Sequence, residues 1–246
     1  PLTKEQFSEN FVDALALLNH RGPDASGVEL LWDHNSFLGH TRLAIQDLSS
    51  AGSQPMTSQN ENLIITFNGE IYNFPALKQD LIKLGYSFVS HSDTEVILYL
   101  YSQYGTACFK MLDGIFALAI FDKQEEKFIL ARDEFGIKPL YYYQDTSRFV
   151  FSSELKAIVK LVSNNDLNLD AKNIDRYLTF QWCPGEGTPF KEIKKHNPGE
   201  VLIIKNSQIV YKKLFYELPI TRPQNKKTNT KLEDVVSNLD ANLRKA

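Results

Sequence analysis

Apolar residues along the chain follow two spacings, one typical of helices and the other typical of strands. The helical spacing, with apolar residues three or four positions apart, predicts helices over residues 7–18, 75–84, 92–104, 153–162, 171–180 and 232–243. Shorter β-prone runs between turn residues predict strands over residues 28–32, 37–45, 63–66, 115–121, 127–131, 140–144, 148–152, 199–205 and 208–215. The short links within residues 114–152 predict an antiparallel meander, and Asn206-Ser207 predicts a hairpin.

Residues typical of helix starts and stops flank these patterns. Ser92 and Glu95 have the spacing of a capping box, in which each side chain binds the backbone N–H of the other residue. Gly85 follows the apolar stripe of residues 77–84 at the position where glycine commonly ends a helix. After Glu217 the composition changes to Pro, Thr, Asn and Lys, which predicts a linker before the last helix.

The stretch Phe67-Asn68-Gly69-Glu70-Ile71-Tyr72-Asn73 follows an apolar strand and has two interpretations. Asn-Gly between β-prone residues is the strongest short signal for a hairpin turn, so the strand of residues 63–66 is expected to end there. Alternatively, the Asn68 amide and the Gly69 N–H are donors presented together to an oxyanion that forms on a carbonyl substrate. Only the surrounding motifs can decide between the two.

The composition is that of an ordinary globular protein and excludes several functions. Of the 246 residues, 43% are hydrophobic and 23% are charged. The net charge of −3 argues against a nucleic-acid partner, and no run approaches the roughly 20 apolar residues that span a membrane. Cys108 and Cys183 cannot build a disulfide framework, and such low cysteine content predicts a reducing, cytoplasmic location.

Common catalytic motifs are missing from the sequence. It has no glycine-rich phosphate loop, no Cys/His cluster with zinc spacing and no Gly-x-Ser-x-Gly elbow. Nucleotide-binding, zinc-dependent and serine-hydrolase functions therefore lose support, and no metal is expected in this chain.

The sequence contains five polar segments that are each weak motifs alone but are informative when taken together in their order along the chain. They are His20-Arg21-Gly22-Pro23-Asp24, His40-Thr41-Arg42-Leu43-Ala44-Ile45, Asn68-Gly69-Glu70-Ile71-Tyr72-Asn73, Ser92-Asp93-Thr94-Glu95 and Ala131-Arg132-Asp133-Glu134-Phe135-Gly136-Ile137-Lys138-Pro139-Leu140-Tyr141. In this order they resemble the glutaminase domain of class II glutamine amidotransferases, which are N-terminal-nucleophile enzymes. The run from Trp182-Cys183-Pro184-Gly185 to Pro198-Gly199-Glu200-Val201-Leu202 narrows the resemblance to the asparagine synthetase branch.

The resemblance implies a fold, a division into domains and a reaction. The fold is α+β, a four-layer αββα sandwich of two mostly antiparallel sheets. Residues 1–216 would form the glutaminase domain without its N-terminal cysteine strand, and residues 217–246 a linker and the first helix of a truncated ATP-dependent synthetase domain. L-Glutamine would be hydrolysed to glutamate and ammonia, and the ammonia used in asparagine synthetase-type amidation. ATP and Mg²⁺ are expected in the following domain and no cofactor in this one. A homodimer stays open.

The resemblance also assigns roles to individual residues. Substrate-binding roles fall on Arg42, Leu43, Ile45, Asn68, Gly69, Glu70 and Asp93. The Arg42 guanidinium suits the α-carboxylate of glutamine, Asp93 and Glu70 suit the α-ammonium, and Asn68 with Gly69 would hold the catalytic oxyanion. The structural alternatives are an ion pair for Arg42, a first-turn helix position for Asp93 and core positions on a strand for Leu43 and Ile45.

The nucleophile of the resembled family is a cysteine at the mature N-terminus, whose own α-amine acts as the base. The sequence here opens on Pro1, and neither Cys108 nor Cys183 has an α-amine beside its thiol. Either the leading segment is missing or the activity has been lost, and the retained pocket residues favour the first. The chain as given is expected to be inactive. Two rival functions remain: a non-catalytic glutamine-binding or scaffold domain, and a glutaminase that supplies amidation of a sugar acid in polysaccharide synthesis.

Overall fold

The computed structural model of the chain describes residues 4–44, 47, 49–162, 164–218 and 231–245. Its helices are α1 (Lys4–Ala16), α2 (Phe74–Lys83), α3 (Asp93–Tyr104), α4 (Leu155–Leu161), α5 (Ala171–Phe180) and α6 (Leu232–Lys245). Its strands are β1 (Ala25–Leu31), β2 (Ser36–Arg42), β3 (Met56–Thr57), β4 (Leu63–Ile71), β5 (Gly114–Asp122), β6 (Lys127–Arg132), β7 (Tyr141–Gln144), β8 (Phe149–Ser152), β9 (Ile193–Lys195), β10 (Glu200–Lys205) and β11 (Gln208–Leu214). None of the helices in these ranges has the length and apolarity needed to cross a bilayer.

The larger sheet contains six strands in the order β11-β10-β6-β5-β4-β3, and every neighbouring pair is antiparallel. Helices α2 and α3 cover one of its faces. Leu81 of α2 and Ile97 of α3 are almost fully buried there in one apolar cluster with Phe116 of β5. The predicted apolar stripes of both helices are therefore the surfaces that pack on this sheet.

The second sheet layer is built of two separate pieces, β1-β2 and β8-β7-β9. Tyr142 of β7 faces the larger sheet and packs with Ala119 and Leu202, whereas Tyr143 faces outward and packs with Ile158 of α4. Helix α1 contacts β2 and α4 on that same outer side. The order from outside to outside is helix, sheet, sheet, helix, so the predicted four-layer α+β sandwich is confirmed.

The predicted meander over residues 114–152 is wrong in one respect, because its strands divide between the two sheets. β5 and β6 pair in the larger sheet, and β7 and β8 pair in the smaller one. The crossing segment is held by the buried Asp133 and the half-buried Arg132. The Asp133 carboxylate accepts hydrogen bonds from the N–H groups of Ile137 and Lys138, and the Arg132 guanidinium donates to the Gly136, Lys138 and His196 carbonyls. These bonds satisfy backbone groups that would otherwise need a strand partner.

The predicted cap at the end of α2 is present, whereas the predicted capping box at the start of α3 is only half formed. Gly85 lies just beyond α2 with φ of +93°, as predicted. Ser92 caps α3, since its Oγ accepts a hydrogen bond from Thr94 N at 3.2 Å. Glu95 does not complete the capping box; its carboxylate accepts hydrogen bonds from Val89 N and from the N–H and Oγ of Ser90. The predicted linker falls largely on residues 219–230, which lie outside the described residues.

Candidate active site

The Asn68-Gly69 pair lies inside strand β4 and not in a turn. β4 continues antiparallel to β5 as far as the pair of Ile71 with Gly114, so the hairpin interpretation is wrong. Gly69 stands opposite Phe116, and a Cβ at Gly69 would lie 2.1 Å from the Ile115 carbonyl oxygen. Only a residue without a side chain fits this close approach of the two strands.

The backbone N–H of Gly69 points away from β5, toward the open edge of β4. In an antiparallel pair, the N–H groups of alternate residues point toward the partner and away from it. Phe67 N donates to the Gln54 side chain at 2.6 Å and Ile71 N donates to Asp93 at 3.0 Å, so both point away from β5. Phe116 lies opposite Gly69, but its N–H donates to the Asp133 carboxylate and its carbonyl accepts from Asp133 N, so neither group bonds to Gly69. Within the described part of the chain, the Gly69 N–H is therefore a donor without a strand partner.

Asp93 lies beside this open edge, at the first position of α3. The residue is only 5% exposed, and its carboxylate accepts the hydrogen bond from Ile71 N. Burial raises the pKa of Asp93 to about 6, and the charge of neighbouring Glu70 adds to the rise. Among the described residues, no Lys, Arg or His side chain lies within 4 Å of its carboxylate. A ligand ammonium would supply the charge that this buried acid lacks.

Arg42 is the last residue of β2 and is half-buried. Its guanidinium donates to the backbone carbonyls of Asp47 and Ser49, at 3.0 Å in the second case. No carboxylate lies within 4 Å of it among the described residues, so the ion-pair alternative finds no support in this part of the chain. Since a guanidinium carries five N–H donors, the two hydrogen bonds leave donors for a ligand carboxylate.

The remaining substrate-binding predictions differ in their outcomes. Leu43 follows the end of β2 and is 55% exposed, so the alternative of a core residue on a strand is wrong for it. The predicted strand 37–45 ends at Arg42 because the Ala44 N–H donates to the Asp24 side chain at 2.8 Å. Ile45 lies outside the described residues. Glu70 is half-buried on β4 and adjoins Asp93.

A cavity of about 820 Å³ separates the two sheet layers next to Asn68. It is lined by residues 36–40 of β2, 66–68 of β4, 117–119 of β5 and 147–153 around β8. Among the strands of the described residues, β2 pairs only with β1 and β8 only with β7, so apart from an isolated bridge between Arg42 and Pro23 each keeps one unpaired edge. His40 also lines this cavity; burial, and then the Arg42 charge, lower its pKa to about 4, so His40 is neutral at pH 7.

Neither cysteine of the chain belongs to this arrangement. Cys108 is buried in the 3₁₀ segment Gly105–Met111, and burial raises the pKa of its thiol to about 12. Cys183 is also buried, and its Sγ donates to the Asn173 carbonyl at 3.3 Å. The Cys108 thiol is therefore protonated at pH 7 and is a poor nucleophile. The described residues also contain no group of three or more His, Cys, Asp or Glu that could hold a metal ion.

Two groups near the site were not predicted from the sequence. Gln54 accepts from Phe67 N and donates to the Thr94 hydroxyl at 3.3 Å, which joins β4 to α3. The Asp47 carboxylate joins the loop at Arg42 to the loop before Asp93. Both lie in a turn-rich segment without periodicity, so only their polar character could have marked them.

Comparison with known proteins identifies the family. Residues 2–216 match the glutamine amidotransferase domain family. The chain belongs to this family. Asparagine synthetase 1 of Bacillus subtilis, described as glutamine-hydrolysing, is 36% identical over 217 residues, which cover 87% of this chain and 34% of the relative. A putative glutamine-hydrolysing asparagine synthetase 2 of Methanocaldococcus jannaschii is 34% identical over 239 residues, covering 89% and 46%. This amidotransferase chain thus spans about a third to a half of the length of these relatives.

A solved structure shows the same fold. Glutamine phosphoribosylpyrophosphate amidotransferase from B. subtilis, complexed with ADP and GMP, matches with a TM-score of 0.60 at 22% identity. The match covers 86% of this chain and 46% of that one. The αββα sandwich of this chain is therefore also the fold of that amidotransferase.

Proposed function

We propose that this chain is the glutaminase part of a glutamine-hydrolysing asparagine synthetase. Residues 1–216 would form the glutaminase domain, and residues 217–246 would lead into a synthetase domain that binds ATP and Mg²⁺ and consumes the ammonia. The observation that carries the proposal is the Gly69 N–H at the open edge of β4, which has no strand partner among the described residues, with Asn68 and the buried Asp93 beside it. The cytoplasmic location and the homodimer stay predictions.

The substrate roles follow from matching glutamine to these groups. Glutamine presents a carboxylate, an ammonium and a side-chain amide, so its site needs a cation, an anion and an oxyanion hole. Arg42 would bind the carboxylate and Asp93, with Glu70, the ammonium, while Leu43 and Ile45 would contribute backbone atoms. The Gly69 N–H and the Asn68 amide would bind the oxygen of the tetrahedral intermediate, at about 3 kcal/mol for each donor.

The reaction also needs a nucleophile, which would come from a cysteine outside the sequence given. Its thiol would lose a proton to its own α-amine and attack the side-chain amide carbon of glutamine. Collapse of the intermediate would release ammonia and leave a γ-glutamyl thioester, and water would then release glutamate and restore the thiol. Without that cysteine the chain would be inactive.

The cavity between the sheets could hold the extended segment that carries this cysteine. β2 and β8 both line it and, among the described residues, both have an unpaired edge, so an extended segment between them could pair with either strand. Asn68 lies at the wall of the same cavity. A cysteine at the end of this segment could then reach the oxyanion donors.

N-terminal sequencing of the full-length protein tests the source of the nucleophile. A free N-terminal cysteine followed by glycine is expected. Any other mature N-terminus would rule out hydrolysis and leave a glutamine-binding domain.

The assignment of Arg42 is tested by its replacement in the full-length enzyme. Arg42→Ala should abolish glutamine-dependent asparagine formation, since the α-carboxylate loses its charged partner, and should leave ammonia-dependent formation unchanged. Lys83→Ala, which removes an exposed cation of α2 paired with Asp80, is the control and should preserve both activities. Equal loss of both activities in Arg42→Ala would contradict the assignment.

A further inference from the structure

A single buried carboxylate links the loop at Arg42 to the loop that precedes Asp93. Asp47 Oδ1 accepts hydrogen bonds from Ser49 N at 2.9 Å and from Ser49 Oγ at 2.6 Å. Asp47 Oδ2 accepts a third from His91 N at 3.0 Å. The carbonyl of the same residue accepts from the Arg42 guanidinium. Asp47 therefore touches both loops and has only 9% of its surface exposed.

We infer that Asp47 is a positioning residue that holds Arg42 and Asp93 at the separation glutamine requires. The inference rests on the proposed function, in which these two residues bind the α-carboxylate and the α-ammonium. Both groups are attached to one carbon atom of glutamine, so the distance between their protein partners must be constant. Asp47 sets this distance through Arg42 on one side and through His91, two residues before Asp93, on the other.

An ionised carboxylate is required at this position because each of its oxygens accepts from a backbone N–H group, Ser49 N on one side and His91 N on the other, and these groups can only donate. The hydrogen bonds from Ser49 and His91 lower the pKa of Asp47 to about 2, so the group is charged throughout the physiological range. An asparagine has one acceptor oxygen and an NH₂ group that only donates. In Asp47→Asn one side of the link must therefore face a donor and break, although size and shape hardly change.

The chain contains a matched control for this substitution. Asp145 Oδ1 also accepts from the N–H and the Oγ of the serine two residues on, Ser147, at 2.7 and 3.0 Å. Its Oδ2 accepts from Arg148 Nε at 2.8 Å. These contacts lie in the turn between β7 and β8, and none of them involves a predicted substrate-binding residue. Asp145→Asn removes a carboxylate with similar hydrogen bonds. It therefore measures the effect of a lost carboxylate on the stability of the enzyme when the substrate-binding residues are not disturbed.

The experiment measures glutamine hydrolysis by the full-length enzyme and its two variants. Asp47→Asn should raise the KM for glutamine by about 10- to 100-fold, the range expected for one lost hydrogen bond to a charged group. Its kcat should change by less than about threefold, because Arg42 and Asp93 hold the substrate equally before and during the reaction. Asp145→Asn should leave KM unchanged. A KM within about twofold of the wild-type value in Asp47→Asn, or the same rise in both variants, would overturn the inference.

Amide hydrogen exchange separates this inference from the proposed function. In Asp47→Asn, the amides of Ser49 or His91 should exchange at least about tenfold faster than in the wild type, and those around Ser147 should not change. Unchanged exchange at both amides would overturn the role of Asp47 even in an active enzyme. A wild-type enzyme with a free N-terminal cysteine and no glutaminase activity would overturn the proposed function, and the exchange result would still decide whether Asp47 joins the loops.

Discussion

The buried Asp93 carboxylate should lower the stability of the empty protein at neutral pH. Its pKa rises from an ordinary value of 3.8 to about 6, chiefly because it is buried, and no cation of the described residues lies beside it. Asp93→Asn keeps the shape, because its side-chain oxygen can still accept the Ile71 N–H and its NH₂ group can donate to the Ser92 hydroxyl, which lies 3.4 Å from the other Asp93 oxygen. The variant should therefore be more stable than the wild type at pH 8 and should bind glutamine poorly.

The size of the effect follows from the difference between the two pKa values. A rise from 3.8 to about 6 corresponds to about 3 kcal/mol of disfavoured ionisation in the folded state. Between these pH values the folded protein binds more protons than the unfolded chain, so stability from this group is present below pH 3.8 and is lost as pH rises through about 6. The advantage of Asp93→Asn should be only about 0.5 kcal/mol at pH 4 and should reach about 1 to 3 kcal/mol above pH 7.

Urea unfolding at pH 4 and at pH 8, with and without glutamine, measures this dependence. Asp80→Asn is the control, because Asp80 is an exposed carboxylate paired with Lys83 and should change stability by less than about 0.5 kcal/mol at both pH values. Glutamine at pH 8 should stabilise the wild type and not Asp93→Asn, since the ammonium needs the ionised acid. A variant less stable than the wild type at pH 8, or an advantage that is equal at both pH values, would refute the reasoning.

Two further predictions concern the strand interior and the thiols. Gly69→Ala should destabilise the protein by more than about 2 kcal/mol in urea unfolding, because its Cβ would meet the Ile115 carbonyl oxygen at 2.1 Å. Gly185→Ala has open space and φ of +69°, so it should cost only about 1 to 2 kcal/mol, and equal losses would contradict the steric explanation. Iodoacetamide at pH 8 should leave Cys108 unmodified in the native protein and alkylate it in urea, as followed by mass spectrometry. Alkylation of native Cys108 with loss of glutaminase activity would contradict its exclusion from catalysis.

Local spacing in the sequence was enough to determine most helices and the last hairpin. The stripe over residues 92–104 became α3, and Asn206-Ser207, both with positive φ, became the turn between β10 and β11. These patterns involve only residues close together in the sequence, and a helix with such a pattern forms wherever its apolar face can be buried. The order of the polar segments was likewise sufficient to predict the glutamine amidotransferase family, which the match over residues 2–216 confirms. The roles of the individual site residues stay predictions.

Tertiary structure alone decided features that depend on distant partners. Asn68-Gly69 is extended because β5, more than 40 residues away, pairs along the full length of β4. Strands β3 and β9, of two and three residues, are too short for a periodic pattern. Asp47 accepts a hydrogen bond from His91 N, 44 residues away in the sequence, and no pattern of residue spacing predicts this contact. Periodicity states which face of an element is buried, whereas strand register and the partner of a polar side chain depend on which elements dock beside it.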